Sequence, residues 1–98
     1  MAGTIVVALG GNAIKRADER GTEEEQFRNV RKTCKQILGM IKRGYKVVIT
    51  HGNGPQAGNL LIQQEEASEV VPSQPLDVVG AMTQGQIGYM LQQTLINY

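Results

Sequence analysis

The sequence predicts an α/β fold built on a parallel sheet, and three features point there. Residues 5–9 and 47–50 are short apolar runs without polar alternation, the pattern of strands buried on both faces. Between them lies an amphipathic helix with clearly marked ends, which makes a β-α-β unit with an expected right-handed crossover. Each apolar run leads straight into a glycine-bearing turn, Gly10-Gly11-Asn12 and Gly52-Asn53-Gly54. Chain leaving the carboxyl end of such strands forms the ligand crevice of an open α/β sheet.

The first strand spans residues 4–9. The polar stretch 12–21 holds Lys15, Arg16, Asp18, Glu19 and Arg20 and is expected to be a mobile surface loop. Thr22 and Glu25 then match the capping box, in which each side chain satisfies a backbone N–H at the helix start. Glu23, Glu24 and Glu25 fall in the first turn, where the helix dipole favours negative charge. Phe27, Val30, Cys34, Ile37, Leu38 and Ile41 recur at helical spacing as one apolar stripe. Lys42 and Arg43 close the last turn, and Gly44 suits the position just past the end. After the second strand, Pro55 suits the first position of a second helix running to about Ala67. Residues 68–74, with Pro72, read as a connecting loop. A third helix is expected from Pro75 to about Asn97 through Leu76, Val79, Ile87, Met90, Leu91 and Leu95. It carries Gly80, Gly85 and Gly88, and each interior glycine costs about 0.8–1 kcal/mol against alanine. That cost predicts close approach of another helix or backbone, so this helix is expected to be a contact surface.

Composition narrows the function classes. The 98 residues form at most one small domain, 41% hydrophobic with net charge +1, which excludes a disordered polyelectrolyte. Ten basic and nine acidic residues are mixed and only four residues are aromatic, so nucleic-acid binding finds no basic, aromatic-interleaved patch. The single Cys34 excludes an internal disulfide framework and fits a reducing compartment. No leader-like or membrane-spanning apolar run is evident, and a cytoplasmic location without membrane contact is expected. Two strands with open edges, and a third helix with no following strand, read as the N-terminal part of a larger α/β domain; a small domain completed by oligomerisation is the alternative.

The two turns suggest one phosphate held from two sides, because glycine lets backbone N–H groups approach an anion. Gly10-Gly11-Asn12 also fits a tight strand-exit turn, since Gly and Asn tolerate positive φ. The second turn adds two glycines, an amide and a helix N-terminus, the parts of an anion site. Residues 52–57 also fit G-x-G-x-x-A, but the acidic residue expected about 20 positions on could only be Asp77, near a helix start where it serves the dipole. No Gly-Lys-Ser/Thr follows, so a Walker A loop is absent. His51 reads as a loop-bracing hydrogen bonder more readily than a base. Lys15 and Arg16 could reach a phosphate but also fit solvated loop cations, and Cys34 reads as a core filler. Met82, Tyr89 and Met90 fit packing.

Residues 6–13, 50–56 and 75–93 resemble the carbamate kinases of the amino-acid kinase family, in register over essentially the whole chain. Ala8 and Asn12 stand where acetylglutamate and aspartate kinases usually carry lysine and a small hydroxyl residue. The resemblance implies a three-layer α/β/α sandwich with a mainly parallel sheet. It implies reversible phosphoryl transfer between ATP and carbamate, giving ADP and carbamoyl phosphate, often as the ATP-forming last step of arginine breakdown by the deiminase route. Mg²⁺ and a homodimer are implied as well. Matching positions for the transferred phosphoryl group and the carbamate are Gly10, Gly11, Asn12, Gly52, Asn53 and Gly54, with Gly11 and Asn12 nearest the chemistry and no metal ligand among them. Family members are much longer. The nucleotide-binding half and the catalytic lysines have no counterpart in residues 1–98, so the chain alone is expected to be inactive. A non-catalytic assembly module, or a dinucleotide-binding domain resting on residues 52–57, are the competing functions.

Overall fold

The computed structural model describes residues 3–98. Strand β1 (Thr4–Leu9) is followed by a single 3-10 turn (Gly11–Ala13), helix α1 (Glu23–Lys42), strand β2 (Lys46–His51), helix α2 (Gln56–Glu66) and helix α3 (Leu76–Ile96). The two strands are parallel neighbours, paired from Thr4 with Lys46 through to Leu9 with His51. The α/β architecture expected from the sequence is therefore present. The register also makes both strands end on the same line, so Gly10 and Gly52 leave the sheet side by side.

Helix α1 begins and ends as its sequence dictates. The Thr22 hydroxyl accepts from the Glu25 N–H at 3.2 Å, and the Glu25 carboxylate accepts from the Thr22 N–H at 3.0 Å. At the other end Gly44 takes φ of 93°. This lets the Tyr45 N–H reach the Met40 carbonyl at 3.3 Å and the Gly44 N–H reach that of Ile41 at 2.9 Å, the paired bonds of a Schellman motif. Helices α2 and α3 each start one residue later than expected, with Pro55 and Pro75 as the capping residues. The end of α3 is tied to α1 by the Tyr98 hydroxyl, which donates to the Arg31 carbonyl at 3.0 Å.

The core lies between α1, α3 and one face of the sheet. Ile14, Val30, Cys34, Ile87, Met90 and Leu91 are buried together, with Leu9, Phe27, Ile49 and Leu95 packed against them. Cys34 is a core filler as expected, and burial pushes its thiol pKa up, away from reactivity. Ile41, counted in the apolar stripe, is instead exposed: it shares the face of Cys34 and Ile37 but lies in the last turn, beyond the packed core.

Two expectations are corrected. Val6 and Val48 are 64% and 49% exposed, so the strands are covered on one face only. The reason is that the helices lie on the side of Ile5, Val7, Leu9, Val47 and Ile49, and no element among the described residues covers the side of Val6, Ala8, Val48 and Thr50. Those residues thus form two layers of the expected three. Nor is residue stretch 12–21 a free loop. The buried Asn29 amide donates to the Ile14 carbonyl at 3.0 Å and to Glu19 at 2.7 Å. Glu19 also accepts from the Arg16 N–H at 2.8 Å and pairs with Arg28 at 3.3 Å. These bonds, that of the Arg16 N–H first, lower the pKa of the Glu19 carboxyl.

Candidate active site

The site is built by the register. Both turns leave the carboxyl ends of adjacent parallel strands, and a Cβ placed on Gly11 would lie 4.0 Å from the Gly54 carbonyl oxygen. At that point the two turns approach to about the width of a methyl group, with the Gly54 carbonyl oxygen on the side of Gly11. The first turn is helical: the Gly10 carbonyl accepts from Ala13 at 3.1 Å, and that of Gly11 from Ile14 at 3.0 Å and Lys15 at 2.9 Å. A helical turn leaves its first N–H groups, those of Gly11 and Asn12, without an intrahelical partner. In the second turn the Asn53 carbonyl accepts from the Ala57 N–H at 2.8 Å, which ties that turn to the start of α2.

Gly10-Gly11-Asn12 does make a tight strand-exit turn, closed by 3-10 bonds, but without the positive φ expected of it. Among the described residues only Gly21 and Gly44 have positive φ, and no other residue does. Gly10, Gly11, Gly52 and Gly54 thus have no conformational need for glycine. A Cβ on Gly10, Gly52 or Gly54 would meet nothing within 4 Å, and on Gly11 only ordinary contact.

The remaining candidates divide clearly. His51 Nδ1 lies 2.8 Å from the Gly52 carbonyl. A carbonyl only accepts, so this nitrogen carries the proton and braces the turn. Lys15 Nζ donates to the Arg16 carbonyl at 3.2 Å, a local bond. Arg16 lines an open crevice of about 560 Å³ beside the first turn, together with Asn12, Asp18, Asn29, Lys32 and Thr33. Residues 52–54 do not line that crevice. Asp77 sits in the first turn of α3, where it complements the dipole. Among the described residues no three His, Cys, Asp or Glu side chains come together.

Sequence reasoning missed the groups that hold the turns. Asn53 Oδ1 accepts from Thr83 Oγ1 at 2.9 Å and from Gln84 Nε2 at 2.8 Å. Gln56, at the head of α2, donates to Gln26 of α1 at 2.7 Å, and Gln26 donates to the Gly21 carbonyl at 2.7 Å. Partners 30 residues apart leave no mark in local spacing; the one available signal was buried-type polar residues, Gln26 and Thr83, on otherwise core-facing helix stripes.

With this geometry in place, comparison with known proteins assigns the class. The Amino acid kinase family matches residues 3–98, and the chain belongs to that family. Within it, the chain is 59% identical to the carbamate kinase of Thermococcus kodakarensis over 96 residues, which is 95% of this chain and 30% of that protein. It is 55% identical to the carbamate kinase of Pyrococcus horikoshii over 95 residues, again 95% of this chain and 30% of the relative. The carbamate kinase from Giardia lamblia bound to AMP-PNP superimposes with a TM-score of 0.94 at 48% identity, covering 98% of this chain and 34% of that one. The same enzyme bound to citric acid gives a TM-score of 0.94 at 48% identity, covering 98% and 31%. The chain thus has the α/β fold of the amino-acid kinases and spans about a third or less of the length of these relatives. No helix among the described residues is long and apolar enough to cross a membrane.

Proposed function

We propose that this chain supplies the phosphoryl- and carbamate-binding wall of a carbamate kinase, which moves a phosphoryl group reversibly between ATP and carbamate. The observation that carries the proposal is the opposition of Gly11 and Gly54 at the ends of two in-register parallel strands. The names of the relatives supply the substrate class, and the AMP-PNP carried by the Giardia lamblia structure supports an adenine nucleotide as the other substrate.

In the proposed reaction a carbamate oxygen forms a bond to the γ-phosphorus of ATP as the bond from that phosphorus to the β–γ bridging oxygen breaks. The electron pair leaves with ADP, and carbamoyl phosphate is the other product. Carbamate is already ionised, so its oxygen needs no general base. This fits a site whose one histidine is occupied in bracing its own turn. What the chain supplies is donors: the N–H groups of Gly11 and Asn12, set by the helical turn, the Asn53 amide, held by Thr83 and Gln84, and the exposed amide of Asn12. Such preorganised donors stabilise charge spread over the phosphoryl oxygens without reorganising during transfer. Gly10, Gly52 and Gly54 keep the approach free of Cβ atoms. Mg²⁺ would neutralise phosphate charge where it accompanies the nucleotide, and no residue of these turns is assigned to hold it.

Nucleotide positioning is assigned to sequence outside this chain, so residues 3–98 act as one part of a single kinase domain. Homodimerisation is proposed through the uncovered side of α3, where Val78, Met82, Tyr89 and Ile96 are exposed around Gly85. A cytoplasmic role in arginine breakdown is the physiological setting this reading suits.

The test exchanges residues 3–98 into the Thermococcus kodakarensis carbamate kinase. ATP formation from ADP and carbamoyl phosphate is expected from the chimera and not from the 98-residue chain alone. An unpositioned donor forfeits most of the roughly 7–11 kcal/mol that proximity and orientation provide. A chimera that folds yet makes no ATP would overturn the proposal.

A further inference from the structure

We propose that Thr83 and Gln84 of α3 are positioning residues for Asn53, holding its amide so that Nδ2 is the group offered to the transferred phosphoryl oxygens. The inference rests on the phosphoryl-transfer reading above and adds to it the means by which the second turn is given one polarity.

An asparagine amide can present either a carbonyl oxygen or an N–H₂ group to a ligand, and the two have opposite preferences for an anion. In the second turn that choice is made by α3. Asn53 Oδ1 accepts from Gln84 Nε2 at 2.8 Å and lies 2.9 Å from the Thr83 hydroxyl, which can donate to it as well. With the oxygen held on the α3 side, Nδ2 is the opposite branch of the amide, and it has no hydrogen-bond partner among the described residues. Thr83 has no exposed surface, so the first donor is fixed by the packing of α3 against the core. Its hydroxyl also lies 3.0 Å from the Gly80 carbonyl. One hydroxyl proton serves one acceptor at a time, and Gln84, which donates to the same Asn53 oxygen, keeps the amide turned the same way when that proton is shared.

Thr83 is thus a buried polar group whose hydrogen bond reaches out of its helix to a turn 30 residues away. A role confined to helix stability needs only the bond to Gly80. The bond to Asn53 gives α3 a part in the site that a packing role does not require.

A double-mutant cycle in the chimera tests this. Thr83→Val keeps the side chain's shape and removes the donor. Gln84→Leu removes the other donor at an exposed position and leaves the core untouched. Each is expected to lower kcat for ATP formation by about 10- to 100-fold, the scale of a small misplacement at the reacting centre. Thr83→Ser, which keeps the hydroxyl, is expected to restore most of it. On an Asn53→Ala background neither change is expected to cost a further factor above about two, because residues acting through one group are not additive. Asn53→Asp keeps the oxygen on the α3 side and puts a second oxygen where Nδ2 stood, so it is expected to lose more activity than Asn53→Ala. An active parent with Thr83→Val and Gln84→Leu at parental kcat overturns this inference alone. Losses that simply multiply with Asn53→Ala overturn it as well, because they place both residues outside the Asn53 pathway. A folded parent chimera without activity removes the functional reading and this inference with it.

Discussion

Replacing Gly11 and Gly44 by alanine separates the two reasons a protein keeps a glycine. At Gly44 the reason is conformational: φ is 93°, and the residue anchors both Schellman bonds at the end of α1. An L-residue forced into that region costs about 1–2 kcal/mol, so Gly44→Ala is expected to lose that much stability and to leave turnover nearly unchanged. At Gly11 φ is not positive, and the new Cβ would meet only the Gly54 carbonyl oxygen, at 4.0 Å. That is ordinary contact, so Gly11→Ala is expected to fold with a stability within about 0.5 kcal/mol of the parent, as exposed substitutions away from strain usually do. The added methyl, however, stands in the gap that the phosphoryl group is proposed to enter. Displacing that group from the Gly11 N–H removes one preorganised donor, an effect of about 10²- to 10³-fold in kcat. Urea unfolding and ATP formation, measured on both variants in the chimera, give the two axes. The reasoning is refuted if Gly11→Ala retains parental kcat, or if its loss of activity follows a loss of stability as large as that of Gly44→Ala.

Three further outcomes are expected. Asn12→Ala in the chimera should lower kcat by about 10²- to 10³-fold with the melting temperature preserved, read by coupled ATP assay and thermal unfolding. The Glu25 carboxyl has its pKa lowered below the ordinary 4.5, chiefly by the bond from the Thr22 N–H. Its contribution is therefore complete above the unfolded value and is lost as pH falls through the lower folded value, so the stability difference between parent and Glu25→Gln should shrink as pH falls below the ordinary value of 4.5 in urea titrations. Gly85→Leu should weaken self-association in sedimentation by crowding the exposed side of α3, at a cost of about 1–3 kcal/mol if that side is packed; unchanged sedimentation would place it in solvent.

The sequence carried the elements well because their signals are local. The capping box of Thr22 and Glu25, the glycine past Arg43 and the prolines ahead of α2 and α3 each act within a few residues, and each lies within one residue of its expected place. The pairing of the two glycine turns was legible for a related reason: two apolar runs joined by one helix have few ways to lie side by side other than parallel. Burial was less legible. An apolar run records what finally covers a strand, and the described residues cover one face, so Val6 and Val48 show the pattern without the packing. Residues 12–21 were misjudged because charge and length suggest freedom, whereas Asn29 and Glu19 hold them through bonds that span 10 to 15 residues.

The glycines of α3 require a different argument from those of the turns, although both sets are open. A Cβ on Gly80, Gly85 or Gly88 would meet nothing within 4 Å among the described residues, so the close approach that their helix cost predicted is not made within this chain. Turn glycines at negative φ sit where two strand ends converge, and the space they free is shared between backbones that approach to about the width of a methyl group. Helix glycines free a strip along a rod, and a strip of that shape suits a second extended surface rather than a compact anion. Thr83 and Gln84 precede Gly85 by two and one positions, a spacing that puts them on other faces of the helix, so the donors that hold Asn53 stand apart from the strip proposed for association.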